Sequence, residues 1–276
     1  MSAGGRVMPL LTRSALTALR TPSLWIPALI LLAPTLAIQL AAPWYLRTRL
    51  APAMWTVALG GVLLIWLAQV AWPLVCVFVQ ARRTRRPARV TWPVFAVALS
   101  VGTRTTLGLA AGVLPGLWLQ ARYAFAALMT ARERSSSSSD ALRDGMVESS
   151  GVRWPLFSLA AAALVVSVLG QSAVAVLAEA LGTIRPGGVA EGRTVFVLAY
   201  TPHALTSVLA YLTSAFAVTM HAVGVSLIFA EVRGLHVEVS SESSPRVFGV
   251  GVRIAASLVL MGALTAAAYK VHQHLF

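Results

Sequence analysis

Six long apolar regions divide the chain, at 24–46, 53–80, 94–131, 155–181, 199–231 and 248–269. A helix needs roughly 20 mostly apolar residues to cross a bilayer, whereas a membrane strand needs about half that. Every one of these regions is therefore long enough for a spanning helix. A water-soluble fold is excluded by composition. Only 11% of the 276 residues are charged, against about 25% in soluble domains. So little polar surface cannot cover a globule of this size. The sequence predicts an all-α, polytopic helical membrane bundle of six to seven transmembrane segments, with 1–276 forming a single integral membrane domain.

The third region allows two readings. It is interrupted by Leu114-Pro115-Gly116. Proline lacks an N–H and clashes with the preceding turn, and glycine tolerates backbone angles closed to other residues. The triplet is expected to act as a structural break, giving one kinked helix or a hairpin with arms 94–114 and 117–131. Basic residues distinguish these readings, because cytoplasmic loops concentrate Lys and Arg. With a hairpin, 14 of the 22 basic residues fall on one side and 5 on the other, with Arg104, Arg122 and Arg253 inside spans. With a single crossing the split is 11 against 8. The positive-inside rule favours the hairpin, with a cytoplasmic N-terminus.

The same reasoning assigns the net charge of +13 to topology, and no nucleic-acid partner is expected. Only Lys270 among the basic residues is lysine. That arginine bias, with abundant alanine, indicates a GC-rich genome and a bacterial cytoplasmic (inner) membrane. Ahead of the first span, Leu11, Ala15, Leu16 and Leu19 recur at helical spacing among Arg13 and Arg20. They predict an interfacial amphipathic helix over 8–20. Trp25, Trp44, Trp55, Trp72, Trp92 and Trp154 lie mostly near span ends, as an aromatic belt requires. The run Arg82, Arg83, Arg85, Arg86 reads as a topology anchor that also meets anionic headgroups, at about 1 kcal/mol per basic residue near the surface. After a serine run, Asp140 is placed to cap a short helix whose Leu142, Met146 and Val147 share one face.

Catalytic constellations are absent from the sequence. The nine acidic residues fall in loops or at span ends, so no carboxylate pair is placed for intramembrane acid–base work. No GxSxG, HExxH or phosphate-binding glycine loop occurs. His221 is the one clearly intramembrane histidine and reads as a packing residue. Cys76 is the only cysteine, His272 and His274 lack a further ligand, and neither a metal nor a cofactor is expected. The costly residues are Arg104 and Arg122, on the two arms of the hairpin. A charge at the bilayer centre costs at least about 2.5–3.5 kcal/mol. Each either satisfies carbonyls opened at the break or binds lipid or another anion.

From Leu114-Pro115-Gly116 through Arg122-Tyr123 to Asp140-Ala141-Leu142-Arg143, Gly151 and Trp154, the chain resembles a broad group of bacterial multi-pass proteins. That group includes the membrane domain found beside glycerophosphoryl diester phosphodiesterases and the YciC-like membrane proteins. Phe229-Ala230-Glu231-Val232-Arg233 is similar to the group's Tyr-Tyr-Asp-Leu-Arg span ending, without its tyrosines. The resemblance implies a helical membrane module concerned with lipids or envelope upkeep. The phosphodiesterase barrel is missing, so its activity does not carry over. The expected function is a non-enzymatic multi-pass inner-membrane protein that binds membrane lipids or another membrane protein. A small transporter or channel is the alternative, since broken helices mark transport sites.

The hairpin topology is open to cysteine-accessibility labelling in a Cys76→Ala background. Cysteines placed at Thr84, Ser138 and Ser241 should label from the cytoplasm, and one at Gly188 from outside. Opposite sidedness for 84 and 138 would contradict a hairpin.

Overall fold

The structure is a computed structural model and describes residues 4–47, 53–85, 90–133, 138–182 and 192–234. All regular structure among these residues is helical. Nine α-helices follow one another: α1 Gly4–Arg20, α2 Trp25–Arg47, α3 Ala53–Arg83, α4 Trp92–Ala111, α5 Val113–Arg122, α6 Ala126–Glu133, α7 Ser138–Glu148, α8 Arg153–Gly182 and α9 Gly192–Val232. Among the described residues, five helical segments are long and apolar enough to cross a membrane: Pro22–Leu40, Leu59–Arg83, Trp92–Ala111, Ser150–Leu177 and Ala204–Val232. The protein is thus a membrane-embedded helical protein. The apolar region 248–269 lies outside the described residues, as do Arg86 and the serines up to Ser137.

Two compact units can be separated, 1–165 with 215–240, and 166–214 with 241–276. In the first, α3 is the central helix and packs against α2, α4 and α6. Its stretch from Val70 to Val77 is buried throughout where side chains are large enough to matter, with Trp72 at 2% exposure and Val75 at 0%. In the second, α8 and α9 cross where Gly170 faces Thr213. There the Gln171 amide donates to the Ser167 and Ser214 hydroxyls.

The chain does reverse within the third apolar region, and α5 lies back along α4. The break itself is at Gly112, not at Leu114-Pro115-Gly116. Gly112 has φ 150° and ψ 156°, a region open essentially to glycine alone. Pro115 explains why α4 stops where it does. A helical proline clashes with the carbonyl four residues earlier, and that residue is Ala111, the last of α4. Within α5 the same proline is harmless, because first-turn N–H groups have no intrahelical acceptor. Gly116 then serves a different purpose from turning. A Cβ on it would lie 2.8 Å from the Leu109 nitrogen, and one on Gly108 would lie 3.0 Å from the Gly116 Cα. These glycines let the two arms touch backbone to backbone, a device suited to membranes, where apolar lipid gives helices no hydrophobic reason to associate.

The returning arm is not one span. It stops at Arg122, makes a turn over Tyr123–Phe125 and resumes as α6. At 1.5 Å per residue α5 and α6 are about 15 and 12 Å long. Everything from Tyr123 to Thr130 is buried, wrapped by α3, α4 and α7. Phe125 meets Phe229 of α9 edge-on at 5.2 Å. Irregular backbone at membrane depth is tolerated only where protein or water covers it, and here protein covers it.

Three sequence readings change in detail. The N-terminal helix begins at Gly4 rather than at 8, and its buried residues are Ser14, Leu16 and Ala18, whereas Leu19 is exposed. Ser14 and Ala18 are small and one turn apart, which brings α1 close to α9: a Cβ on Gly224 would lie 2.9 Å from the Ser14 Oγ. In α7 the buried face is Ala141, Leu142, Gly145 and the following Ser149, and Val147 is 66% exposed. Asp140 sits in the first turn of α7 rather than before it, where its charge suits the helix dipole.

The α6–α7 contact is the tightest of the helix crossings against backbone. A Cβ on Gly145 would fall 2.7 Å from both the Cα and the N of Ala126. Gly145→Val is expected to lower stability by about 1–3 kcal/mol, the usual cost of overpacking. Gly151→Ala, with nothing within 4 Å, should be tolerated. Thermal unfolding of the purified protein checks both, and equal melting temperatures for the two variants would contradict the packing.

Candidate functional site

The first compact unit carries two groups of polar residues. One runs along a single face of α3, where Trp72, Gln80 and Arg83 follow at spacings of eight and three. Trp72 stacks on His221 of α9 at 5.0 Å, with 17° between the ring planes. Trp72 therefore belongs to the core, not to an aromatic belt, while Trp92 and Trp154 are exposed as a belt requires. His221 is 4% exposed and packs as the sequence reading anticipated. Gln80 is bound through its Oε1 by the Ser226 hydroxyl of α9. A pair of amides joins α3 to the hairpin: Gln120 Nε2 donates to Gln69 Oε1 at 3.1 Å.

This face of α3 ends in the basic run, whose members differ sharply. Arg82 is exposed, and its Nη1 donates to the Ser23 carbonyl at 2.6 Å, tying α3 to the turn before α2. Arg85 is exposed in a left-handed conformation, with φ 51°. Arg83 turns inward. Its Nε and Nη1 are buried and have no hydrogen-bond partner; burial bears on its charge most, and the like charge of Arg13 on α1 adds to that. Higher on the same face, Trp72 Nε1 and Gln80 Nε2 are also buried without partners. All these groups are donors. An unpaired buried polar group costs about 1–3 kcal/mol, more when charged, so Arg83 is the least satisfied of them.

The second group lies around the last turn of α7. Arg122 Nε donates to Met146 Sδ at 2.9 Å. The Ser149 hydroxyl donates to the Arg122 carbonyl at 2.9 Å, covering the last turn of α5. Arg153, the first residue of α8, donates through Nη2 to the Met146 carbonyl at 3.2 Å. Arg233, after α9, pairs through Nε with Glu148 at 2.7 Å and donates to Met129 Sδ at 2.8 Å.

Arg104 meets the residue that follows Arg122. Arg104 is exposed on α4, with its guanidinium 5.5 Å from the centre of the Tyr123 ring, a cation–π distance. Arg122 does not reach the break that the sequence coupled to it. Gly112 is ten residues away along α5, roughly 15 Å, and the side chain meets α7 instead. Leu114 is 68% exposed and Gly116 is buried; both lie inside α5 and open no carbonyls. Two residues escaped sequence reasoning, Arg13 and Arg153. Arg153 had a legible signal. It opens a long helix, the end where the helix dipole disfavours a cation.

No group of three or more His, Cys, Asp or Glu that could hold a metal occurs among the described residues. No protein-family model, curated protein or solved structure matches this chain.

The Gln80–Ser226 bond is checked by a double-mutant cycle. Gln80→Leu leaves a buried hydroxyl unpaired and should cost about 1–3 kcal/mol. Adding Ser226→Ala should recover most of that loss. Strictly additive losses in unfolding experiments would show that the two side chains do not interact.

Proposed function

We propose that this chain is a non-enzymatic multi-pass protein of the bacterial inner membrane that binds an anionic lipid headgroup at the end of α3. The observation that carries this reading is Arg83, a guanidinium whose Nε and Nη1 are buried and unpartnered under the repulsion of Arg13. A counter-anion would stabilise such a charge. Its position narrows the choice of anion. Arg83 closes the apolar segment Leu59–Arg83, so it sits at a membrane–water boundary, where lipid phosphates are concentrated. Helix α1, whose Arg13 acts electrostatically on Arg83, exposes Met8 at 69% and Leu19 at 39% together with Arg13 and Arg20, the mixture of an interfacial helix. A headgroup phosphate between Arg13 and Arg83 would relieve their repulsion and supply the missing acceptor oxygens. With the N-terminus cytoplasmic, this is the leaflet where anionic lipid and basic residues meet. The resemblance carried by Leu114–Gly116, Arg122-Tyr123 and Asp140–Arg143 supports a place in lipid or envelope upkeep.

Replacing Arg83 with methionine keeps the stem and removes the charge. In detergent without lipid, Arg83→Met should be as stable as wild type or more so, because a buried unpaired charge is replaced by an apolar group. Added phosphatidylglycerol should raise the melting temperature of wild type by more than that of the variant. A wild type indifferent to phosphatidylglycerol, or a variant that responds equally, would overturn the reading.

A further inference from the structure

The cluster around Met146 has a chemistry of its own, separate from Arg83. Arg122 and Arg153 come from different helices, α5 and α8, and both donate to the same residue, one to its Sδ and one to its carbonyl. A thioether is a weak acceptor and a carbonyl carries no net charge. Arg153 Nε is buried and has no partner at all. Glu148, the acid in the last turn of α7, is engaged by Arg233. Among the described residues, neither Arg122 nor Arg153 has an ion-pair partner. Two cations thus converge on one residue, with no ion-pair partner among the described residues.

The arrangement is held in place rather than accidental. Ser149 is 0% exposed, and its hydroxyl bridges the Arg122 and Met146 carbonyls at 2.9 and 3.2 Å. That bond ties the last turn of α7 to the end of α5, between the two arginines. The surroundings also indicate what approaches. Trp118 lies one turn before Arg122 on α5, and Trp154 follows Arg153. Their rings meet edge-on at 6.0 Å, and Phe157 closes on Trp154 at 5.8 Å. Trp154 is 64% exposed and Trp118 38%. Exposed tryptophans beside arginines are the composition of the headgroup layer of a membrane.

We infer that Arg122 and Arg153 form a second anion site, which takes a phosphate group between two guanidiniums beside the Trp118–Trp154–Phe157 cluster. Guanidinium suits this ligand because its planar donors match phosphate oxygens in pairs. Either a phospholipid headgroup or a free phosphate has the required chemistry. The aromatic cluster offers the apolar neighbour that a lipid would use.

The test is native mass spectrometry of the full-length, delipidated protein, titrated separately with short-chain phosphatidylglycerol and with inorganic phosphate. Wild type should hold two tight phosphatidylglycerol molecules, one at each site. Arg122→Gln/Arg153→Gln should hold one, with the second weakened at least tenfold. Arg83→Gln should also hold one, and its remaining molecule should disappear when Arg122 and Arg153 are replaced as well. Arg132→Gln, an exposed arginine, should still hold two. Saturable phosphate binding that needs Arg122 and Arg153 would identify the free anion as a ligand; binding of phosphatidylglycerol alone would identify the lipid. Both outcomes support the site. The inference is overturned if the Arg122/Arg153 variant keeps both molecules, or if Arg132→Gln loses one equally. Two tight molecules retained by Arg83→Gln would instead overturn the function proposed above. If the glutamine pair does not fold, Arg122→Lys/Arg153→Lys keeps the charge and decides the matter. It should bind about tenfold more weakly, and unchanged affinity would show that the guanidiniums do not contact the ligand.

Discussion

Backbone that leaves the helical hydrogen-bond pattern inside a membrane must be covered by protein, and the first compact unit is organised around that constraint. The arm that returns from Gly112 is interrupted again at Tyr123–Phe125. Its irregular turn and the whole of the following helix through Thr130 are buried. The cover comes from α3, α4 and α7, and glycines let the helices of this group approach one another closely. Gly102 meets Val70 on α3, Gly108 and Gly116 meet across the hairpin, and Gly145 meets Ala126. Small residues at crossings give the dispersion contact that holds helices together where no hydrophobic driving force operates.

That cover has an electrostatic consequence. Drawing α7 onto the hairpin places its last turn against the ends of α5, α8 and α9, and each of those ends carries an arginine. One of the three, Arg233, finds a carboxylate. Arg122 and Arg153 find only neutral acceptors. At the end of α3 the same thing happens with Arg83, which packing turns inward while its neighbours Arg82 and Arg85 stay exposed. With nine acidic residues for 22 basic ones, the chain has too few carboxylates of its own to neutralise them. Anions from the membrane are the obvious supply.

The helical membrane architecture was legible in the sequence because it follows from the length of apolar runs and the shortage of charge, which no tertiary detail alters. The reversal within 94–131 was legible through Pro115 and the distribution of arginines. Its position was not, because a proline ends a helix at the residue four places earlier, and the sequence reading put the break at the proline itself. Gly116 looked like a turn residue and proved to be a packing residue, a distinction that depends on what lies across from it. Trp72 looked like a belt residue because its span was drawn without knowing that α3 runs through the core. Arg122 was recognised as costly, but its partner on α7 is 24 residues away, beyond any local pattern. Arg83 was read with its neighbours as a topology anchor. Which member of ARRTRRPAR points inward is decided by tertiary packing around the end of α3, and single-sequence periodicity does not carry that.

The central claim is that guanidiniums left unpaired by the protein are completed by phosphate from the membrane. A structure solved in nanodiscs containing phosphatidylglycerol tests it most directly. The account predicts phosphate density within hydrogen-bonding reach of Arg83 Nε or Nη1, close to Arg13. Arg83 nitrogens donating to protein carbonyls, with no density beside them, would contradict it.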